Sequence, residues 1–384
     1  MSDQPRPDWD PASAAVQGDQ RAAYDAMRER CPVAYSELLG WSLFRHEDVV
    51  HALHDVQGFS SVVSAHPAVP NGMDPPQHTA YRRIIEPYFA PERMAAFEPA
   101  CRDIALRLLQ PLAGADAVDF IGAFSDRYAV QVQCAFLGWP AEMHEPMRAW
   151  TLKNYASRLA DDRAQAARLA AEFERHVVAM LDARRGGAES ADDDVTTRLL
   201  REQLAGRPLH DAEIVSILRN WTVGEISTIS AAIGILVEYL AAHADLQRRL
   251  RATPSLLPDA IEEILRLHGP LVANRRVTTR AVQVAGRSID AGERVSLNWM
   301  AANRDGRVFE DPGACRLDRD QAANLLWGAG IHVCPGAPLA RMELRVAMQE
   351  LLERTTRIEA VPGRPPAAAV YPASGFASVF VRLA

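Results

Sequence analysis

The 384-residue sequence predicts a mainly α fold with small β-sheets. Three observations predict it. From MDPPQHTAYRRIIEPYF (residues 73–89) to about residue 265 the pattern is helical. Strand-like alternation is confined to short stretches near the two ends. The polar or Pro-bearing breaks, such as 182–194 and 252–259, are too short to act as linkers and read as loops between helices.

The elements follow in order. The stretch PVAYSELLGWSLFRHEDVVHALHD (32–55) reads as a strand pair and a helix. The segment ILRNWTVGEISTISAAIGILVEYL (217–240) is long and largely apolar, with one Gly-containing polar patch in its middle, and reads as a long buried helix. In VTTRAVQVAGRSIDAGERVSL (277–297), Val282 and Val284 alternate and Gly286 and Gly292 break the run, which predicts a small hairpin. PLARMELRVAMQELLERT (338–355) carries Leu344, Met348 and Leu351 at spacings of four and three, an amphipathic helix. Length alone would allow one, two or three domains, and 1–20 reads as a flexible N-terminal segment.

Composition sets the compartment. Apolar residues make up 48% and charged residues 24%, enough to build a large core. The N-terminus lacks a basic start followed by an apolar stretch, and the longest strongly apolar run, ISTISAAIGILV (226–237), is too short to span a bilayer. A cytoplasmic protein without a membrane partner is expected. The net charge of −7 lacks the basic excess that general nucleic-acid binding requires.

The five cysteines, at 31, 101, 134, 315 and 334, are scattered singly, which argues against a disulfide framework or a structural zinc site. Cys334 stands apart. It lies in WGAGIHVCPG (327–336), a Gly-rich loop leading into the start of the 338–355 helix. Unpaired N–H groups at a helix start favour a thiolate, which is a nucleophile or a metal ligand. Gly328, Gly330 and Gly336 let backbone approach a flat, bulky partner closely. Four readings remain open on the residues alone: a buried structural cysteine, a nucleophile, a zinc ligand, or an axial ligand to haem iron.

WGAGIHVCPG resembles the haem-binding loop of the cytochrome P450 monooxygenases, aromatic-Gly-x-Gly-x-His/Arg-x-Cys-x-Gly, with Trp327 where relatives usually carry Phe. Further segments resemble the family in the right order from about residue 33 onward. They are FRHEDVVHALHDVQGFSS (44–61), MDPPQHTAYRR (73–83), the Glu263-x-x-Arg266 pair in AIEEILRL, and ANRDGRVFEDP (302–312). The resemblance implies a single domain over 1–384 with a P450 fold, and haem b (iron protoporphyrin IX) between a long distal helix and the proximal helix that follows the cysteine loop.

It also implies roles. Cys334 would be the iron ligand, its thiolate donating electron density that favours O–O cleavage. Trp327, Gly328 and Gly336 would shape its loop. His78, Arg82, Arg276 and His332 would pair the haem propionates, since buried carboxylates need cationic or hydrogen-bonding partners; Arg275 is the adjacent alternative. Glu263 and Arg266 would be structural. The usual distal pattern, small-Gly-x-acid-Thr, maps onto Val223, Gly224, Glu225, Ile226 and Ser227, with Thr228 next, so the acid is missing. Ser227, with Thr228, is expected to supply the hydroxyl beside dioxygen, and Glu225 to join the proton path through water.

Val62, Val63, Val223, Leu271, Val272 and Phe376 are expected to line a pocket for a small to medium apolar or aromatic molecule. The reaction implied is insertion of one oxygen atom from O2, by hydroxylation or O-dealkylation, in a monomer. Too few residues follow Cys334 for a fused flavin domain, so electrons are expected from a separate ferredoxin and its reductase. The alternatives are a peroxygenase using H2O2 or an oxidative coupling enzyme. A haem-binding sensor without enzymatic activity would need the cysteine but no proton route.

Overall fold

A computed structural model describes residues 6–64, 68–159, 163–186 and 194–384. Six helices position the site: α1 (Gln77–Ile85), α2 (Pro91–Leu109), α3 (Asp126–Leu137), α4 (Asp211–Ala242), α5 (Leu257–His268) and α6 (Ala337–Arg354). The largest apolar cluster lies among α2 to α6, and α4 packs against α3, α5 and α6.

The local sequence explains these helices. α4 starts with a capping box in which the Glu213 carboxylate accepts the His210 amide at 2.7 Å. Its 32 residues are apolar on several faces because neighbours surround it. It is the one described helix long and apolar enough to cross a membrane, and it serves here as the core helix. α6 carries Pro338 in its first turn, where the missing N–H costs nothing, and buries the predicted Leu344, Met348 and Leu351.

The main sheet has five strands: β1 (Val33–Ser36), β2 (Gly40–Leu43), β3 (Phe59–Ser60), β4 (Ala273–Thr278) and β5 (Arg294–Asn298), in the order β1-β2-β5-β4-β3. The β1–β2 pair and the helix His46–His54 match the sequence expectation. The 277–297 stretch is more than one hairpin. Val282–Val284 pairs with Arg287–Ile289 through a turn in which Ala285 and Gly286 both have positive φ, as a tight two-residue hairpin requires. Its two flanks instead join the main sheet as β4 and β5.

The expected flexible segment over 1–20 is corrected from Asp8 onward. Trp9 is buried, with its ring edge-on to Phe44 at 5.2 Å between centroids, and the Asp8 carboxylate accepts the Tyr35 amide at 2.8 Å. Burying so large a ring outweighs the polar composition around it. Residues 1–5 lie outside the described residues, as do 65–67 of the 61–72 pocket segment and 187–193 of the 182–194 break.

Candidate active site: a cysteine loop facing a cluster of cations

The loop 327–336 is folded by its own backbone. Cys334 N–H donates to Trp327 O at 2.8 Å, and Gly328 N–H to Leu325 O at 2.9 Å. Gly328 and Gly330 have φ of +73° and +68°, where a side chain is strained. The glycines differ in what they permit. A Cβ at Gly330 would lie 2.7 Å from Leu53 O, a backbone clash, whereas one at Gly336 would make ordinary contacts with Phe89 and Cys334 Sγ. The close approach at Gly330 is therefore to the helix His46–His54.

Cys334 Sγ sits at the start of α6 over the amides of Gly336 and Ala337. Burial pushes the thiol up, and the Glu225 carboxyl adds to this; the two amides and Arg82 pull it down without overcoming burial. The helix start alone does not make the thiolate expected from sequence. A coordinated metal ion would, because ligation deprotonates a thiol outright.

Trp327, at the loop's first position, donates its indole N–H to the Glu262 carboxylate, and Arg341 lies over the ring with its guanidinium carbon 5.0 Å from the centroid. Glu262 and Arg341, on α5 and α6, close the triangle with a 2.6 Å ion pair.

His78, Arg82, Arg276 and His332 are brought together. The His78 and His332 rings lie 4.1 Å apart, and both His78 nitrogens are buried with no hydrogen-bond partner. Arg82 donates to Val333 O at 2.8 Å and pairs with Glu86. The Arg276 guanidinium is buried and, among the described residues, bonds only a neighbouring carbonyl, Arg275 O at 2.7 Å; burial holds it down at about 10. Burial, then the His78, Arg276 and Arg82 charges, hold His332 at about 3, with Asp74 opposing. Arg275 faces solvent, because successive residues of β4 point to opposite faces.

Two carboxylates act on this group from nearby: Glu86 pairs with Arg82, and Asp74 is taken up by Ser60 Oγ and the Ser61 amide. A buried guanidinium needs an anion and the His78 ring a hydrogen-bond partner, so the donor set fits an anionic group such as the propionates of haem. Ser61, whose hydroxyl lies 2.9 Å from His332 Nε2, and Asp74 were not singled out from sequence. Asp74 sits in MDPPQH, four residues before His78, which is the only hint.

Glu263 and Arg266 are fully buried and joined by two hydrogen bonds of 2.8 and 2.9 Å. Arg266 also donates to Asn303 O and Pro312 O, and Glu263 accepts from the Arg316 amide and Arg319. Burial alone would raise the Glu263 carboxyl; these partners outweigh it and hold it low. The pair thus ties α5 to the 303–319 segment leading to the cysteine loop.

On α4, Gly224 and Ser227 share an exposed face, and a Cβ at Gly224 would meet nothing within 4 Å. Ser227 and Thr228 both bond back to their own helix, Ser227 to Val223 O at 3.0 Å and Thr228 to Gly224 O at 2.6 Å. Ile226 is buried. Glu225 does not join this face. One residue further round the helix, its carboxyl turns inward to Glu343 of α6, so the expected grouping of Glu225 with Ser227 is corrected.

The apolar set is divided. Val62, Val63 and Leu271 are exposed, and Val223 and Phe376 are half-buried. Val272 is corrected to a core residue, buried in the cluster that holds Trp9, Tyr24 and Phe44. Leu271 bridges to Ala373, bringing the 270–274 and 373–378 segments together. Val69 is held over α4 by Ser216 Oγ and Asn220 Nδ2.

A half-buried cysteine on a glycine loop, beside a cluster of cationic and imidazole side chains that fits an anionic group, is the arrangement a thiolate-ligated haem protein needs. A model of the cytochrome P450 family matches residues 255–366. Cyclomarin C epoxidase CymV of Salinispora arenicola is 32% identical over 354 residues, covering 88% of this chain and 89% of the relative. Erythromycin C-12 hydroxylase of Saccharopolyspora erythraea is 32% identical over 356 residues, with 88% and 89% covered. Among solved structures, CYP109E1 of Bacillus megaterium with testosterone superposes at a TM-score of 0.85, with 28% identity over 95% of this chain and 99% of that one. The chain belongs to the cytochrome P450 family. It is a monooxygenase whose cofactor is haem b.

Proposed function

We propose that the chain inserts one oxygen atom from dioxygen into a small to medium apolar or aromatic substrate, by hydroxylation or O-dealkylation. Electrons come from a separate ferredoxin and reductase in the cytoplasm. The observation that carries this reading is the placement of Cys334 Sγ at the start of α6, on the helix packed against α4, whose exposed face carries Gly224 and Ser227. The printed names of the relatives, an epoxidase and a hydroxylase, support oxygen insertion. The testosterone complex of the neighbouring structure supports an apolar ligand.

Cys334 would hold the haem iron and His78, Arg82, Arg276 and His332 its propionates; bound there, the haem would supply the chemistry of dioxygen activation. The chain's own residues do the rest. Ser227 keeps a hydroxyl on the distal face; turning it away from Val223 O would let it hydrogen-bond a bound oxygen ligand or a water while keeping its own proton. Val223, Leu271 and Phe376 exclude water around the substrate, and the buried Ile226 supplies no proton. Screening small apolar and aromatic compounds for a spin-state shift, then measuring product per NADH with a ferredoxin system, tests the reading. Absence of any shift across both classes and of oxygenated product overturns it.

The peroxygenase reading has one observation in its favour: no acid stands at 226, and the Ser227 hydroxyl is engaged by its own helix. Turnover with hydrogen peroxide far above the ferredoxin-driven rate would establish it.

A further inference from the structure

Glu225 and Glu343 have no part in the reading above; Glu343 is fully buried and Glu225 half-buried beside it. Two elements bring them together: Glu225 from the inward side of α4 and Glu343 from α6. Glu343 is fully buried, and no donor reaches either of its oxygens; Glu225 Oε1 is sealed from solvent and likewise lacks one. The two carboxyls stand within hydrogen-bonding reach of one another.

The surroundings offer no neutralising charge. Cys101 of α2 and Tyr128 of α3 face the pair and are themselves buried. Tyr128 spends its hydroxyl hydrogen on the Glu343 backbone carbonyl, at 3.0 Å. Arg102 is committed to Glu98 and Glu350, and Arg82 to Glu86 and Val333 O. Cys334 senses the Glu225 charge from the far side. Two carboxylates cannot both ionise in such a place, because each raises the energy of the other and burial removes the solvation both charges would need.

We propose that Glu343 keeps its proton at neutral pH and donates it to the Glu225 carboxylate, so that one hydrogen and one negative charge bridge the distal helix and the helix that begins at the cysteine loop. The hydrogen resides on a Glu343 oxygen and points at a Glu225 oxygen. Both Glu343 oxygens are sealed from solvent, whereas Glu225 is half-buried with only Oε1 sealed, so the charge is better placed on Glu225 and the proton on Glu343. The two act as positioning residues. The shared proton holds α4 against α6 and limits the negative charge that Cys334 faces. This inference is independent of the hydroxyl assigned to Ser227, and neither test decides the other.

Infrared spectroscopy of the haem-loaded protein at neutral pH tests it. The wild type should show the C=O stretch of a protonated carboxyl that moves on exchange into D2O, and Glu343→Gln should lack it. Glu225→Gln leaves Glu343 with an amide oxygen to donate to, so the band should persist at a shifted frequency. That variant decides the matter if Glu343→Gln fails to fold. A wild type without such a band, an unchanged band in Glu225→Gln, or its disappearance there would each overturn the proposal.

Stability gives a second readout. The unfolded chain ionises both carboxyls above their ordinary range, while the folded chain retains a proton, so folding weakens as pH rises through neutrality, by about tenfold in the folding constant per unit. Glu343→Gln should flatten that slope. Parallel pH profiles in the two proteins would also overturn the proposal.

Discussion

Trp327 donates its indole N–H to Glu262 across the first turn of the cysteine loop, 2.9 and 3.0 Å from the two carboxylate oxygens. A phenylalanine at this position would fill much of the same volume without the bond. Glu262 also receives Arg341, so the contact joins three elements at one carboxylate.

Trp327→Phe should therefore cost little, about 0.5–1.5 kcal/mol, because Glu262 keeps Arg341. Glu262→Ala should cost more, since it strips both the indole and the guanidinium of their acceptor. Urea unfolding of the haem-loaded proteins measures the difference, and equal losses in the two variants would contradict it.

Replacing Arg276 with Leu should weaken haem retention. Its guanidinium is buried with only one carbonyl partner among the described residues, so its charge is set aside for an anion. Arg275→Leu, one residue away on the solvent face of β4, should retain haem as the wild type does. Dialysis against apomyoglobin, followed by the haem spectrum, separates the two outcomes.

Arg266→Ala should destabilise the protein by about 3–5 kcal/mol, because it leaves the Glu263 carboxylate buried beside Arg319 alone and strips three carbonyls of a donor. The loss should appear in the melting temperature before any effect on substrate binding. A variant that melts with the wild type would show that Arg319 suffices.

Acid should act through His268. Burial, then the nearby Arg21, hold its imidazole at about 3, below the ordinary 6.5. The unfolded chain takes up this proton as pH falls below about 6.5 and the folded chain does not, so stability falls between there and about 3, by at most about 1.4 kcal/mol per unit. His268→Gln should flatten that part of the profile, and an unchanged acid limb would assign the loss elsewhere.

Much of the site was legible in the sequence because its spacing is local. Cys334, His332 and the glycines lie within ten residues, and Glu263 and Arg266 lie one helical turn apart, so motif and structure coincide. Arg276 was separated from Arg275 only by which face of β4 each occupies, which strand burial decides and composition does not. Glu343 was missed because its meaning depends on a partner 118 residues away, on a helix face that no periodicity distinguishes. Trp9 was misread because a polar terminal composition hides a single ring that a distant strand and helix enclose.

At Gly330 the cysteine loop comes closest to the main chain of Leu53, with the His54 ring next to it. Side-chain drift along the helix His46–His54 leaves that closest contact untouched, while even one methyl at 330 would pry the two apart. The spot behaves as a keyed seam. Mutational tolerance should be higher on the helix side, where the closest atoms are Leu53 main chain, and close to nil at 330 itself.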